Sequence, residues 1–464
     1  MSMASHEEPD RSHSMSNLTR RTFIRTSTAA TGLAFLPAVS WSQVLGANER
    51  VNVAAIGTGG MGQTDLASVA SHGDTAIVAL CDVDRRMLDS SAKRYPEAVS
   101  YTDYREMMDK MGDRIDAVII STPDHMHAPI AMAAMNAGKH VYCQKPLAHS
   151  IHECRALREM ANSKPGIITQ MGTQNTARAM KRRAMRALQE GIVGRVIEIQ
   201  ALTDRAGVPG RPWWPQGQPR PEGSDPVPEF LEWDLWLGVA PVRPYKEGAY
   251  APFKWRGVRD FGVGALGDMA CHIVDAPFQS FGLGDPTMVE CEPISNSDDQ
   301  YPLQEIVRMT LPGVSASGGQ PIPFTWYDGG LKPKPGQLGM PADLDVPYNV
   351  AIIRGEEGTL MVPITGDGTR FYREGKEVAT DLPDHPDRNH WHHWIEAIHG
   401  KETNYTPFDY AGRVSETLAI GAVASRYPNE KLEWDAKAMK FTNKPEANAY
   451  VTRKYRDGWE VENL

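Results

Sequence analysis

Cysteine is scarce in this chain, and the placement of the few cysteines excludes two common uses. The five cysteines are scattered, and no two of them form a C-x-x-C motif. The chain therefore has neither the pattern of a zinc site nor an evident disulfide framework. We expect five buried, unpaired thiols, at Cys81, Cys143, Cys154, Cys271 and Cys291.

An excess of positive charge and a long apolar run are also absent. The formal net charge is −9, which argues against nucleic acid or an anionic membrane surface as a partner. An apolar stretch near the N-terminus covers only residues 29–39, far fewer than the ~20 residues of a membrane-spanning helix. We therefore expect no permanent membrane anchor.

The N-terminal region instead has the order of a twin-arginine export signal. Arg20 and Arg21 precede Phe23 and Ile24, the apolar stretch follows, and small residues lie near positions 38–47. Such a leader is recognised by the twin-arginine export machinery and is then removed. We expect residues 1–48 to be signal and linker, and the mature protein to be periplasmic or otherwise extracytoplasmic.

A glycine-rich turn follows the apolar run 51–56 and precedes a helix-compatible segment at 63–71. In a G-x-G-x-x-G turn, the first glycine allows the tight strand-to-helix turn, the second admits a pyrophosphate, and the third permits close helix–strand packing. The sequence therefore predicts dinucleotide binding at Gly57, Thr58, Gly59, Gly60, Met61 and Gly62.

The residue that ends the next apolar strand indicates which dinucleotide binds. Asp82 lies 20 residues beyond Gly62, where a carboxylate accepts hydrogen bonds from the ribose 2′-hydroxyl and repels a 2′-phosphate. We therefore expect NAD. NADP is the less favoured alternative, and it rests on the neighbouring Arg85 and Arg86.

Strand and helix patterns then alternate, which is typical of a doubly wound parallel sheet. Buried strands are predicted at 115–120 and 140–143. Ligands of such sheets bind beyond the carboxyl ends of the strands. We therefore expect the residues that follow these strands to face the cofactor crevice, namely Ser121, Thr122, Pro123, Asp124, His125, Gln144 and Lys145.

The second half of the chain has strand-like runs separated by glycine and proline turns. This pattern favours a largely antiparallel open sheet in an α+β domain. We place an α/β nucleotide-binding domain at 49–170 and a substrate-binding and oligomerisation domain at 171–464. The proline-rich stretches 209–228 and 321–347 are expected to be loops that line or cover a site. The predicted strand runs are 194–203, 287–292, 305–311, 322–327, 350–354, 358–362 and 369–373.

Two places carry candidate chemistry. Lys145 ends a strand beside the expected nicotinamide position, where a lysine can donate to a substrate oxygen. On a helix, Asp268, His272 and Asp275 would share one face, and a carboxylate beside an imidazole can fix its tautomer for general-base work. Trp255 and Arg256, just upstream, are expected to form a pocket wall for substrate.

These motifs together resemble the Gfo/Idh/MocA family, named after glucose–fructose oxidoreductase and inositol dehydrogenase. The resemblance covers the chain from about Glu49, and it implies a Rossmann domain, a C-terminal domain often used in homo-oligomer contacts, NAD(P), and sugar or cyclitol substrates. By this resemblance, Lys145, Asp268 and His272 match the catalytic Lys, Asp and His. The usual Glu-Lys-Pro is here Gln144-Lys145-Pro146, so a neutral amide replaces a negative charge beside the lysine.

The sequence leaves more than one function open. We expect an NAD-dependent oxidoreductase that acts on a secondary hydroxyl of a carbohydrate or cyclitol. An exported enzyme meets no free NAD, so the cofactor should be tightly held. Redox-neutral alternatives are a glycoside hydrolase or lyase that oxidises sugar C3 transiently, and a ping-pong sugar oxidoreductase. A non-catalytic sugar- or nucleotide-binding protein is the third hypothesis.

Several histidines and basic residues invite a metal or nucleic-acid interpretation that we do not adopt. His392, Glu396 and His399 share one helical face, but an amphipathic helix with a solvated polar side explains them, so no metal site is expected. The tryptophans fit sugar stacking and core packing equally well. A basic stretch is interpreted as a solvated helix face, formed by Arg178, Lys181, Arg182, Arg183 and Arg186.

Overall fold

A six-stranded parallel sheet forms the first half of the computed structural model, which describes residues 50–208 and 210–464. The predicted leader and its arginine pair lie outside these residues. The strand order is β3-β2-β1-β4-β5-β6. The strands are β1 (Val51–Ile56), β2 (Thr75–Cys81), β3 (Val99–Tyr101), β4 (Ala117–Ile120), β5 (His140–Cys143) and β6 (Thr169–Met171).

Helices on both faces connect these strands. Because both faces are covered, β4 consists of buried apolar residues throughout. The helix after β5 begins with a capping box in which Ser150 and Glu153 satisfy each other's backbone N–H groups. The helices are α1 (Met61–Ala70), α2 (Arg85–Arg94), α3 (Tyr104–Met111), α4 (His127–Asn136) and α5 (Ile151–Ser163).

A ten-stranded mixed sheet forms the second half. Its order is β16-β15-β14-β13-β7-β12-β11-β10-β17-β18. The β7–β12 pair is parallel, and the other pairs described in this sheet are antiparallel. The predicted fold class, a doubly wound parallel sheet followed by a largely antiparallel α+β domain, is confirmed.

The remaining elements have the following bounds. The strands are β7 (Val196–Leu202), β8 (Gly207–Val208), β9 (Arg211–Pro212), β10 (Met288–Ile294), β11 (Gln304–Leu311), β12 (Ile322–Tyr327), β13 (Val350–Gly355), β14 (Thr359–Pro363), β15 (Arg370–Arg373), β16 (Lys376–Val378), β17 (Lys431–Asp435) and β18 (Lys440–Phe441). The helices are α6 (Ala179–Gln189), α7 (Trp233–Leu237), α8 (Gly264–Ile273), α9 (Asp275–Phe281), α10 (His390–Ile398) and α11 (Phe408–Ala424).

The chain returns to the first sheet after it has built the second. Trp394 and Ile395 of α10 are buried in the same apolar cluster as Val51 and Val53 of β1. This helix therefore belongs to the packing of the nucleotide-binding half, although it lies more than 200 residues after the sheet in the sequence.

The proline-rich stretch 321–347 differs from the expectation that it is a loop covering a site. Its first part contains strand β12, and its later part packs on the large sheet. Leu338, Met340 and Val346 are buried against Val350 of β13 and Met361 of β14. These apolar residues cover part of a sheet face that would otherwise contact water.

All five cysteines are free and buried, as predicted. Across residues 50–208 and 210–464, none of the helices is both long and apolar enough to span a membrane. In the same part of the chain, no cluster of His, Cys, Asp and Glu side chains has the arrangement of a metal site.

His140 at the start of β5 gives a prediction about acid stability. Its Nδ1 accepts a hydrogen bond from the Ile168 backbone N–H at 2.9 Å, and burial lowers its pKa from 6.5 to about 4. The folded state therefore disfavours the proton that the unfolded chain takes up below pH 6.5. Stability from this group is present above pH 6.5 and is lost as the pH falls toward 4.

We expect His140→Asn, which keeps an acceptor near the Nδ1 position, to reduce this acid-induced loss. The difference in the free energy of unfolding between pH 7 and pH 4 should shrink by about 2–3 kcal/mol, because one pKa unit corresponds to about 1.4 kcal/mol. Urea unfolding at both pH values measures it. His385→Asn, outside the helices and strands, is the control. An unchanged pH dependence in His140→Asn would show that this ring does not titrate with folding.

Candidate functional site

The glycine-rich turn connects β1 to α1 as the sequence predicts, and two of its glycines are required by close contacts. Gly57 has φ +81°, and a Cβ there would lie 2.6 Å from the Ser121 backbone oxygen. A Cβ on Gly62 would lie 2.0 Å from the Gly57 oxygen. Larger residues would therefore push β1, β4 and the helix apart.

Asp82 lies at the end of β2 and contacts this turn directly. Its Oδ2 accepts from the Thr58 backbone N–H at 2.7 Å, and its Oδ1 accepts from the Asp84 N–H at 2.9 Å. Burial raises the pKa of Asp82, and these hydrogen bonds act against that rise. A carboxylate oxygen has a further lone pair, so Asp82 can still accept from a ribose hydroxyl.

Arg85 and Arg86, the two residues on which the NADP alternative rests, are both paired with carboxylates. Arg85 contacts Glu232 at 2.6 Å, and Arg86 contacts Asp84 at 2.6 Å. The Arg86 guanidinium also lies 3.5 Å from the centre of the Phe230 ring. In this arrangement neither guanidinium is presented as a partner for a 2′-phosphate.

The residues that follow β4 divide into two groups. Ser121 and Thr122 lie beside the glycine turn, and within the described residues the buried Thr122 Oγ1 has no hydrogen-bond partner. His125, which the sequence places at the cofactor crevice, is instead fully buried. Its ring contacts the Trp236 oxygen at 3.0 Å and the Phe261 oxygen at 3.3 Å.

His125 therefore joins the two halves of the molecule and does not line the crevice. Burial lowers its pKa to about 3, so the ring is neutral. Asp124, also expected at the crevice, is buried and accepts from the Val263 N–H at 3.1 Å. Pro123 precedes the short 3-10 turn formed by residues 124–126.

Lys145 and Asp268 form the centre of the candidate catalytic site. Lys145 follows β5, and its Nζ lies 2.8 Å from Asp268 Oδ1 and 2.7 Å from the Asp268 backbone oxygen. The Lys145–Pro146 peptide bond is cis. These two residues are 123 positions apart in the sequence, and the structure brings them into direct contact.

Arg256 is the second cation on the same carboxylate. Its Nε donates to Asp268 Oδ1 at 3.1 Å, and its guanidinium lies 4.4 Å from the Trp255 ring centre. Burial alone would raise the pKa of Asp268, but the charges of Lys145 and Arg256 outweigh burial and lower it below its usual range. Trp255 itself is buried in an aromatic cluster with Tyr250 and Phe261, so it supports the pocket wall from behind.

The relation between Asp268 and His272 differs from our expectation. Both lie on α8, yet the carboxylate contacts Lys145 and Arg256, and within the described residues His272 Nδ1 is buried without a hydrogen-bond partner. Two nearby cations compete for the carboxylate more strongly than a neutral ring does. Burial and the charge of Lys145 lower the pKa of His272 to about 3.

Asp275 does not share the helix face of His272. The helix breaks at Val274, and α9 begins at Asp275. Asp275 is buried and accepts from Tyr410 Oη at 2.8 Å and from Gln279 Nε2 at 3.0 Å. It therefore belongs to a separate polar network beneath the site.

Lys181 is buried, which differs from our interpretation that the basic stretch at 178–186 is a solvated helix face. Its side chain is fully buried, and Nζ donates to the His272 backbone oxygen at 3.0 Å. Burial lowers its pKa to about 8. Ala184, three residues further along α6, and Leu188, seven residues further, are buried as well. This spacing puts Lys181 on the apolar face of the helix. The same spacing could have indicated from the sequence that Lys181 is buried.

The helix of His392, Glu396 and His399 is also less solvated than expected. His392 Nε2 lies 2.8 Å from Ser71 Oγ, and Glu396 Oε1 lies 3.0 Å from His72 Nε2. The polar side of α10 thus packs on the end of α1. Trp391 from this helix donates to Asp65 at 2.9 Å, which brings α10 close to the nucleotide turn.

The described residues fit a dinucleotide. The turn between β1 and α1 provides a glycine cradle. Asp82 after β2 provides a carboxylate, and Thr122 after β4 provides a buried hydroxyl without a hydrogen-bond partner in the described residues. The residues that would hold NAD are Gly57, Thr58, Gly59, Gly60, Met61, Gly62, Asp82, Ser121, Thr122, Gln144 and Lys145.

A parallel sheet with this cradle, next to a Lys–Asp pair and a neutral histidine, defines a nicotinamide-dependent oxidoreductase. Residues 51–172 match the model of the oxidoreductase family with an NAD-binding Rossmann fold, and residues 178–306 match the model of its C-terminal alpha/beta domain. The chain belongs to the Gfo/Idh/MocA family. The predictions of this family, of an oxidoreductase and of NAD are confirmed.

Curated relatives match part of the chain. The levoglucosan dehydrogenase of Pseudarthrobacter phenanthrenivorans is 26% identical over 198 residues, which are 42% of this chain and 40% of that protein. A glycosyl hydrolase family 109 protein of Shewanella pealeana is 29% identical over 162 residues, 33% of this chain and 35% of that protein. The matches thus span less than half the length of these relatives.

The fold is also found among solved structures. A levoglucosan dehydrogenase in complex with NADH and levoglucosan has a TM-score of 0.57 and 18% identity, and the match covers 83% of this chain and 99% of that chain. At this identity the likeness concerns the fold alone.

Proposed function

We propose that this protein oxidises or reduces a secondary hydroxyl of a sugar or cyclitol with a tightly held NAD. The observation that carries the proposal is the contact of Lys145 Nζ with Asp268 Oδ1 at 2.8 Å. Asp268 lies on the same helix as His272. The Lys145–Asp268 pair lies at the carboxyl edge of the parallel sheet, where ligands of such sheets bind. The sugar-related names of the relatives support the substrate class.

The three side chains have separable roles in this proposal. Lys145 donates a hydrogen bond to the substrate oxygen, and Asp268 accepts from Nζ and so directs it. Within the described residues His272 Nδ1 is buried without a hydrogen-bond partner, so this ring is the candidate acceptor of the hydroxyl proton. When bound, NAD supplies the group that takes up or returns the hydride. Arg256 contributes the second positive charge beside Asp268.

A segment around residues 230–236 packs on the loop that follows Asp82, the residue expected to bind the ribose. The Phe230 oxygen accepts from the Arg85 N–H at 2.9 Å, and the Glu232 N–H donates to the Val83 oxygen at 2.9 Å. Val83, directly after Asp82, packs on an aromatic cluster that includes Trp233 and Trp236. A loop fixed in this way holds Asp82 in place, which favours tight binding of NAD.

Export and self-association complete the proposal. Arg20, Arg21 and the apolar stretch 29–39 support delivery by the twin-arginine machinery to the periplasm. A protein that passes through this route carries its cofactor from the cytosol, in agreement with retention. We further propose a homo-oligomer, and sedimentation velocity of the purified protein tests it.

Redox-neutral glycoside cleavage is the second candidate function, because several relatives are named as glycosyl hydrolase family 109 proteins. In that reaction, oxidation at sugar C3 acidifies the neighbouring C–H, elimination releases the aglycone, and the hydride returns at the end. The same Lys145, Asp268 and His272 would serve both reactions. The two candidates differ in whether NADH accumulates.

The deciding experiment starts from protein purified without added cofactor. Acid release and enzymatic quantification should find NAD in about a one-to-one ratio to protein, as tight one-site binding requires. Free sugars and aryl glycosides are then supplied while NADH absorbance and released aglycone are followed together. NADH formed from free sugars in proportion to enzyme supports the oxidoreductase. Aglycone release without net NADH would overturn it in favour of the glycosidase, and ligand binding with neither product would favour a binding protein.

A further inference from the structure

Asp65 is a buried carboxylate in the nucleotide-binding half. It lies on α1, three residues beyond Gly62, and its side chain is inaccessible to solvent. Four donor groups surround it within the described residues. These are Ser121 Oγ at 2.8 Å and Gln144 Nε2 at 2.8 Å on Oδ2, and Trp391 Nε1 at 2.9 Å and Tyr142 Oη at 3.4 Å on Oδ1.

This environment suits an ionised carboxylate. An indole N–H can only donate, and the hydroxyl of Ser121 and the amide of Gln144 are free to donate as well. Burial raises the pKa of Asp65, and the four hydrogen bonds act in the opposite direction.

The amide of Gln144 is held from two sides. One side is the hydrogen bond to Asp65, and the other is the backbone at Gly172, where an added Cβ would lie 2.7 Å from Nε2. Because Nε2 is bound to the carboxylate, Oε1 is the atom left to accept a hydrogen bond. Gln144 Oε1 lies 3.4 Å from the Lys145 backbone nitrogen, at the edge where the cofactor is expected.

We propose that Asp65 is a positioning residue that fixes the amide of Gln144 for the cofactor, and that its carboxylate accounts for an amide at position 144 in place of the glutamate of the family's Glu-Lys-Pro. The negative charge expected at position 144 lies instead on α1, one hydrogen bond away. A glutamate at 144 would place two carboxylates in contact. The amide at 144 is therefore required by Asp65. The proposal rests on the cofactor role of Gln144, but not on which substrate the protein uses.

The test compares four forms of the full chain: wild type, Gln144→Glu, Asp65→Asn and the double variant. Gln144→Glu should weaken binding of NAD to cofactor-stripped protein by about ten- to a hundredfold, since the new carboxylate repels Asp65 and cannot donate the hydrogen bond that positions the side chain at 144. It should also lower the urea midpoint of the cofactor-free protein. Both losses should shrink at lower pH, because two adjacent carboxylates share one proton.

Rescue is the decisive observation. The double variant restores one carboxylate facing one amide, so it should recover most of the NAD affinity and of the urea midpoint, with little pH dependence. Thr64→Glu adds a carboxylate at an exposed position of the same helix and should change neither quantity. Both readouts are independent of sugar turnover, so a wrong substrate assignment leaves them intact.

Two results would overturn the proposal. One is a Gln144→Glu protein that binds NAD and unfolds as wild type does at every pH. The other is a double variant no better than Gln144→Glu. If Gln144→Glu fails to fold, folding of the double variant supports the proposed pairing of a carboxylate with an amide at positions 65 and 144. Failure of the double variant, while Asp65→Asn alone folds and binds NAD, overturns it.

Discussion

Lys145→Met should reduce turnover by about a hundred- to ten-thousandfold, the range expected when a positioned proton donor is removed. Methionine is unbranched and only one atom shorter than lysine, but it donates no hydrogen bond. The Nζ contacts with Asp268 at 2.7 and 2.8 Å would be lost, while the glycine turn and Asp82 would be unchanged. Because Lys145 is only one of the residues that would hold NAD, retained NAD per protein should fall far less than turnover.

The measurement pairs single-turnover kinetics on the accepted sugar with quantification of released NAD. Lys164→Met is the matched control, because Lys164 Nζ also donates to a backbone oxygen, that of Met135 at 3.0 Å, but lies outside the site. If Lys145→Met keeps full turnover, the lysine does not act on the substrate oxygen. If NAD is lost as well, the side chain serves mainly in binding.

Asp268→Asn should lower kcat/KM by about a hundred- to a thousandfold, or roughly 3–4 kcal/mol, because breaking a buried charge pair leaves uncompensated cations. Lys145 and Arg256 both contact Oδ1 of this carboxylate. Without it, two positive charges face each other at the site.

A double-mutant cycle separates this role from the one that the sequence suggested. If Asp268 acts through Lys145, the effects of Asp268→Asn and Lys145→Met should be far from additive. Asp268→Asn combined with His272→Gln should be closer to additive, because no hydrogen bond joins these two side chains in the described structure. The reverse pattern would restore the interpretation that Asp268 orients the histidine.

The turn at Gly57, the strand ends and Lys145 were predictable from sequence because each depends on local order. A strand followed by three spaced glycines has few alternatives, and parallel strands bring their carboxyl ends to one edge. Asp268 was recognisable by its spacing from His272 and by the family resemblance. Its actual partners were not, since Arg256 reaches it through the packing of an irregular segment.

The residues whose environment differs from the prediction share a physical reason. His125 follows a strand end, but its ring is buried against the backbone oxygens of Trp236 and Phe261, which are more than 100 residues away in the sequence. Lys181 belongs to a stretch of five basic residues, yet it satisfies its charge on the His272 oxygen. Whether a polar side chain faces water or the interior depends on partners far away in sequence, and helical or strand periodicity does not identify those partners.

The sequence by itself determined the dinucleotide cradle, the acidic residue after β2, the order of the two sheets and the identity of the lysine. These are properties of short segments, in which backbone geometry follows from glycine spacing and apolar periodicity. Only the tertiary structure decided that Asp268 joins Lys145 to Arg256, and that Gln144 and Trp391 both donate to Asp65. Burying a polar group without a hydrogen bond costs free energy, so buried polar groups pair with whichever groups lie beside them. Which groups lie beside them is decided only when distant segments pack together.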